Sequence, residues 1–240
     1  MKKAIALISA AVISCATLVA QDNGGVRFGV KFSPNMGFIK PDSKELKANG
    51  AGFGYSFGLM AEFPIGTAGS YRFATGLFLN NVVGKWKENY EYVRPADISG
   101  PLVTKDLETK VKLQYIELPL TLKLMTNEIG YMRYYAQIGA GNAFAIRAKA
   151  DIVTPTVQGT RNDGTPIVDT FEELDGEDIL SNIAVYKASL IVGAGMEYNF
   201  SGNTSLLAGV TYNNGFTNIL DSEGLKAKAH YLELTVGVFF

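Results

Sequence analysis

From Ile116 to Leu124 every even-numbered residue is Ile or Leu, while the odd positions read Glu117, Pro119, Thr121 and Lys123. Alternation with period two is a strand with one apolar and one polar face. Two architectures use such a strand. A soluble sheet turns its apolar side inward, whereas a membrane barrel turns it toward lipid and keeps polar groups in the lumen.

The other segments decide between them. Residues 26–39, interrupted at Pro34-Asn35, set Val26, Phe28, Val30 and Phe32 against Arg27 and Lys31. In 52–63, Phe53, Tyr55, Phe57, Leu59, Ala61 and Phe63 oppose a face of Gly52, Gly54, Ser56, Gly58, Met60 and Glu62. A face so free of bulk suits a crowded barrel interior better than a solvated surface. Further strands are predicted over 71–87, 111–124, 131–149, 184–200, 204–219 and 230–240. The connections alternate long and short, as in bacterial outer-membrane barrels with short periplasmic turns and longer external loops. The apolar faces of the last five strands hold no charge; their opposite faces hold Glu117, Lys123, Arg133, Glu197 and Glu233. An Arg or Lys facing lipid at midplane costs about 2–4 kcal/mol, so this segregation is expected of a membrane barrel. A soluble lipocalin-like barrel would scatter Lys and Glu over its outside. The predicted fold is all-β: an eight-stranded antiparallel up-and-down transmembrane β-barrel.

Eight strands leave an interior that side chains fill. Glu62, Glu117, Lys123, Arg133, Glu197 and Glu233 are expected to form a polar network across the lumen, since isolated charges there would be costly. That predicts a plugged barrel, with a narrow channel or porin as the alternative. Phe63, Tyr71, Phe73, Tyr131, Tyr198 and Phe200 cluster near the short turns, and Phe240 ends the last strand. Trp86, with Tyr90 and Tyr92, stands where the third strand leaves the membrane. These are expected to form the aromatic girdles.

The chain opens Met1-Lys2-Lys3, continues apolar from Ala4 to Ala20 and turns polar at Gln21-Asp22-Asn23. This pattern predicts a signal peptide over 1–20, cleaved after Ala20, and a barrel domain over 21–240. The single cysteine, Cys15, falls inside that apolar run, so the exported chain has no thiol for disulfides or thiolate metal sites. With 22 basic and 23 acidic residues the chain offers no basic footprint for nucleic acid. The sole histidine, His230, lies near Asp221 and Ser222, so a Ser/His/Asp site of a lipid-modifying barrel enzyme is the catalytic alternative. Nothing in the spacing fixes that geometry, and a non-enzyme without cofactor is expected. The acidic run Glu172–Asp178 lacks the spacing of a calcium loop and reads as a solvated charged loop.

Four stretches resemble a known family: Phe28-Gly29-Val30-Lys31, Tyr115-Ile116-Glu117-Leu118-Pro119-Leu120, Gly193-Ala194-Gly195-Met196-Glu197-Tyr198 and Gly215-Phe216-Thr217-Asn218-Ile219. The chain is similar to the outer-membrane β-barrel domain family that includes the PorT-like proteins, eight-stranded barrels of the OmpA/OmpX type. The resemblance implies residence in a Gram-negative outer membrane, and PorT itself is linked to protein secretion across it. The closing Val238-Phe239-Phe240 resembles the signal read by the barrel assembly machinery. The expected role is structural or interaction-based: surface binding, or a part in a secretion or assembly complex. The expected partners are outer-membrane lipid, the assembly machinery during biogenesis, and an envelope protein meeting loops 88–110 and 151–182.

One irregularity remains. Val111, Leu113 and Tyr115 are apolar at odd positions, whereas the apolar set is even from Ile116 onward. Pro119 also lacks a ladder donor. A β-bulge near Tyr115–Pro119, shifting register by one, is predicted from both.

Overall fold

The computed structural model describes residues 25–240 except 44–45, 67–68, 89–97, 104–106, 154–155, 171–173, 203 and 222–224. The expected signal peptide, with Tyr90, Tyr92 and Ser222, lies outside the described residues. The first strands are β1 (Arg27–Pro41), β2 (Leu46–Pro64), β3 (Tyr71–Glu88), β4 (Ile98–Val103), β5 (Leu107–Met125) and β6 (Met132–Val153). There follow β7 (Thr156–Arg161), β8 (Pro166–Thr170), β9 (Leu174–Asp178), β10 (Tyr186–Ser201), β11 (Thr204–Gly215) and β12 (Ala227–Phe239).

Eight of these make the wall. β1, β2, β3, β5, β6, β10, β11 and β12 pair antiparallel in that order, and β12 returns to β1 through pairs such as Gly29 with Phe239. The barrel is closed and antiparallel, as the alternation predicts, so the wall has no open edge to protect.

The wall strands are longer than a membrane requires. A spanning β-strand needs about 9–11 residues, whereas β5 has 19 and β6 has 22. The excess lies on the side of the long connections, and it explains the irregularity of β5. Odd residues point inward along the whole strand: Val111, Leu113, Tyr115, Glu117, Thr121 and Lys123 are all buried. Even residues point outward, from exposed Lys110 and Lys112 to exposed Ile116, Leu118, Leu120, Leu122 and Leu124. The parity never slips; the surroundings change. Below Ile116 the outer face meets hydrocarbon and is aliphatic. Above Tyr115 it meets water and is charged, and the interior becomes apolar in exchange.

The bulge expected near Tyr115–Pro119 falls at the Tyr115 end of that stretch and not at Pro119. Pro119 pairs with Gly141 in an unbroken ladder. Its missing donor faces β3, where no pairs fall between Thr75–Leu120 and Phe78–Glu117, and the Thr75 hydroxyl donates to the Pro119 carbonyl at 2.7 Å. The register does shift between Gln114 and Tyr115, but the extra residue, Ile146, belongs to β6. Pro34 likewise leaves the register of β1 against β2 and β12 unchanged.

The glycine face of β2 has a packing cause. Phe78 fills the space over Gly58 and Gly76, where added Cβ atoms would fall 2.8 Å from the Phe78 Cδ1 and 2.5 Å from its Cζ. Above the membrane, the first of two register shifts in β2, between Ala48 and Ala51, spans Gly50, whose φ of 87° suits glycine at an irregular ladder.

The long connections are more than solvated loops. β4 pairs with β7, and β7 with β8, so loops 88–110 and 151–182 share a three-stranded sheet. Leu174–Asp178, within the run expected to be a solvated loop, is strand β9 and pairs with the end of β6, Lys149 opposite Asp178. Edge pairing overrides its acidic composition.

Candidate functional site

Inward positions of the wall converge in three polar tiers beneath an apolar lid. The tier nearest the short turns joins Arg27, Glu62, Arg72, Lys123 and Glu197. Arg27 donates to Glu62 at 2.5 Å and to Glu197 at 2.8 Å. Lys123 donates to Glu62 at 2.6 Å and also to Glu197. The Arg72 Nε lies 4.0 Å from Glu62. Lys123 sits 4.1 Å above the Tyr135 ring and Arg27 4.5 Å above that of Phe239, so aromatic faces take up charge that the carboxylates leave over.

The middle tier is the pair Lys31–Glu233 at 2.6 Å, with Lys31 4.2 Å over the Phe78 ring and Ser33 donating to Thr235 at 3.2 Å. The upper tier centres on the Glu117 carboxylate. It accepts from Asn80 at 2.7 Å, Asn213 at 3.0 Å and the Tyr231 hydroxyl at 2.6 Å. Fully buried Lys187 donates to the Asn213 carbonyl at 3.4 Å and lies over the Tyr231 ring at 4.7 Å. Between the tiers is a cavity of about 70 Å³ lined by Ser56, Thr75, Thr121 and Gln137 among others, room for a handful of waters.

The lid is an apolar cluster of Ile39, Trp86, Val111, Leu113, Ile183 and Ile219 with their neighbours. Three polar tiers and an apolar cluster above them occupy the bore among the described residues. Chemically, the arrangement pairs most of the buried charge and leaves one cation in excess in the tier nearest the short turns.

Of the residues singled out by sequence, Glu62, Glu117, Lys123, Glu197 and Glu233 meet inside the barrel. Arg133 does not join them. It has the inward parity but sits at the turn rim, half-exposed, and pairs with Glu128 at 3.0 Å. Sequence reasoning left out Arg27, Lys31, Arg72 and Lys187, although each shares the parity of the polar face on its strand.

Phe63, Tyr71, Phe73, Tyr131, Tyr198, Phe200 and Phe240 are exposed. Phe63 packs on Phe73 across β2 and β3, and Tyr131 on Tyr198, with ring centroids 6.4 and 6.3 Å apart. Trp86 is a correction: it is 7% exposed and lies in the lid, not on a girdle. Its parity on β3 is that of Arg72, Phe78 and Asn80, all inward. The outer aromatics toward the long connections come instead from Phe32, Tyr55 and Phe57, a continuous stack, and from Phe144 against Tyr186.

His230 stacks on Tyr212 on the outer face, ring centroids 6.5 Å apart, and neither of its ring nitrogens has a hydrogen-bond partner. Asp221 is exposed in the connection before β12. Among the described residues no cluster of His, Cys, Asp or Glu could hold a metal ion. Above the membrane, burial would raise the Asp151 carboxyl, but its bonds to Lys112, Asp175 and the Gly176 N–H outweigh that and hold it below the usual carboxylate range.

The sequence pattern of the family described as outer membrane protein beta-barrel domain matches residues 19–176. No curated protein matches the chain. Among solved structures it is similar to Neisserial surface protein A, at 17% identity and a TM-score of 0.41, covering 90% of this chain and 97% of that one. It is also similar to Ail of Yersinia pestis in complex with the heparin analogue sucrose octasulfate (15%, 0.36, covering 90% and 99%). A third is OprG from Pseudomonas aeruginosa (11%, 0.39, covering 90% and 94%).

Proposed function

Because the chain belongs to the outer membrane protein β-barrel domain family, we propose that it is a plugged, non-catalytic barrel that presents a binding surface above the outer membrane of a Gram-negative bacterium. The observation that carries this reading is the filled bore. Every inward charge on β10 and β12 has a partner within the lumen, and the apolar cluster around Trp86 lies above them. What remains for a partner is the outside, where β4, β7 and β8 join the two longest connections into one unit. The partner is an envelope protein, and the PorT-like resemblance extends the reading to a secretion or assembly complex. Export proceeds on the signal peptide 1–20, and the barrel assembly machinery inserts the strands. An intact mass beginning at Gln21 checks the export step; one that retains the first twenty residues overturns it.

Crosslinking and pull-down from native membranes tests the central claim. A specific envelope protein is expected with the full chain and is lost when residues 156–170 are replaced by a short flexible turn. Its persistence moves the contact to the short turns. In planar bilayers the protein is expected to give no large, stable conductance; steady steps of porin size would overturn the plugged reading.

A further inference from the structure

Lys187 and Asn213 stand on neighbouring strands, β10 and β11, and each is 1% exposed inside the bore. A lysine amine has three protons to donate. Here its polar contact among the described residues is the Asn213 carbonyl at 3.4 Å, long for a hydrogen bond. Lys31 and Lys123, in the tiers below, each hold a carboxylate at 2.6 Å. Lys187 has none at that range; the Tyr231 ring lies 4.7 Å from its amine and the Tyr115 ring 5.3 Å. A charged amine so placed is costly to bury.

The carboxamide that meets this amine is held from its other end. The Asn213 amide nitrogen donates to Glu117 at 3.0 Å and to the Tyr231 oxygen at 2.8 Å. These bonds fix the nitrogen against a carboxylate and leave the carbonyl to the lysine. A nucleophile, a carbonyl and a carboxylate touching the leaving nitrogen are the parts that amide exchange requires. Packing them together in one chain supplies the proximity that the same groups lack in solution.

We propose that Lys187 and Asn213 join in an intramolecular isopeptide bond, made once after folding, with Glu117 as the proton carrier. The Lys187 ammonium gives a proton to the Glu117 carboxylate. The freed amine attacks the Asn213 Cγ, forming the Nζ–Cγ bond as the carbonyl electron pair moves onto Oδ1. Glu117 then hands its proton to the amide nitrogen. The oxyanion collapses, the Cγ–Nδ2 bond breaks with its electron pair on nitrogen, and ammonia leaves. Nζ gives its surplus proton to Glu117, which passes it to the ammonia and ends as a carboxylate again. The products are a neutral secondary amide and an ammonium ion, with no oxidant or reductant consumed. The cavity bordered by Glu117, Asn213 and Tyr231 gives the departing ammonia room. The bond ties β10 to β11 covalently and replaces a buried cation. Cys15 is the one cysteine of the chain, so no disulfide within it could do this.

The test digests protein purified from native membranes and sequences its peptides by mass spectrometry. A branched peptide containing Lys187 and Asn213 is expected, lighter by one ammonia than the sum of its two parts. Intact mass alone does not suffice, because an N-terminal glutamine also loses ammonia when it cyclises. Lys187→Arg and Asn213→Ala are expected to lack the branched peptide. Glu117→Gln keeps an acceptor for Asn213, so it is the variant that separates chemistry from folding. After refolding into phospholipid vesicles it is expected to form the bond about 10²–10⁴-fold more slowly than wild type. Recovery of Lys187 and Asn213 from wild type only in separate, unmodified peptides overturns the proposal. Formation at the wild-type rate in Glu117→Gln overturns the role given to Glu117. Neither result depends on whether the barrel binds a partner.

Discussion

Glu197→Leu is expected to destabilise the barrel by about 3–5 kcal/mol, the usual cost of removing one partner from a buried ion pair. Wild type holds three cations, Arg27, Arg72 and Lys123, around two carboxylates, Glu62 and Glu197. Without Glu197 the same three cations face one carboxylate in a closed bore. Arg27 and Lys123 both lose their second acceptor, and the rings of Phe239 and Tyr135 replace only part of it. Adding Lys123→Met returns the cluster to an excess of one cation, so the double variant is expected to be more stable than Glu197→Leu alone. Urea unfolding of the protein in phospholipid vesicles gives both numbers. Additive losses would show that the two residues act independently and that the tier is not one unit.

Glu117→Leu should cost at least as much, for a different reason. Its carboxylate is the shared acceptor for Asn80, Asn213 and the Tyr231 hydroxyl, and each buried donor left without an acceptor costs about 1–3 kcal/mol. Some of that is recovered because Asn80 and Asn213 also donate to the Tyr231 oxygen. Lys187 has no such recourse. It is 1% exposed, and its polar contact among the described residues is the Asn213 carbonyl, itself oriented by Glu117. Glu117→Gln keeps one acceptor oxygen and is expected to fall between wild type and Glu117→Leu. Lys187→Met in the Glu117→Leu background should restore stability, because it removes the unbalanced cation along with its anion. The melting temperatures of the four proteins in detergent test this order. No recovery in the double variant would mean that Glu117 acts only through its hydrogen bonds.

The wall was legible in the sequence wherever one environment faced one side of a strand. Ile116–Leu124 and 52–63 meet hydrocarbon along their outer face, so composition and parity agree, and Glu62, Glu117, Lys123 and Glu197 can be placed from the pattern. The reading failed where the surroundings changed but the chain did not. Val111 and Leu113 look like a change of register because an apolar residue signals lipid in one half of β5 and interior in the other. Trp86 was misplaced by the same cause, since its residue type suggested an interface while its parity pointed inward. Arg133 shows the reverse: correct parity, but a position beyond the end of the bore. Lys187 needed only the parity of Ser189 and Ile191 carried one step further. The pairing of β4 with β7 was out of reach, because it joins segments some sixty residues apart, whereas β7 and β8 form a local hairpin that only the Asp163-Gly164 turn announces.

The exchange of faces at Tyr115–Ile116 also sets how deep the protein sits. Sinking the barrel toward the short turns by two residues would press Lys112 and its neighbours toward hydrocarbon, where the cost of a lysine climbs from up to about 1 kcal/mol at the interface as it goes deeper. Raising it by the same amount would lift Ile116 and Leu118 into water, at about 25 cal/mol for each Å² of apolar surface exposed. Both displacements are opposed around the wall, so the strands measure the bilayer against their own chemistry. A membrane thicker or thinner than the leucine belt would have to deform to meet it, and the protein would gather where the thickness fits.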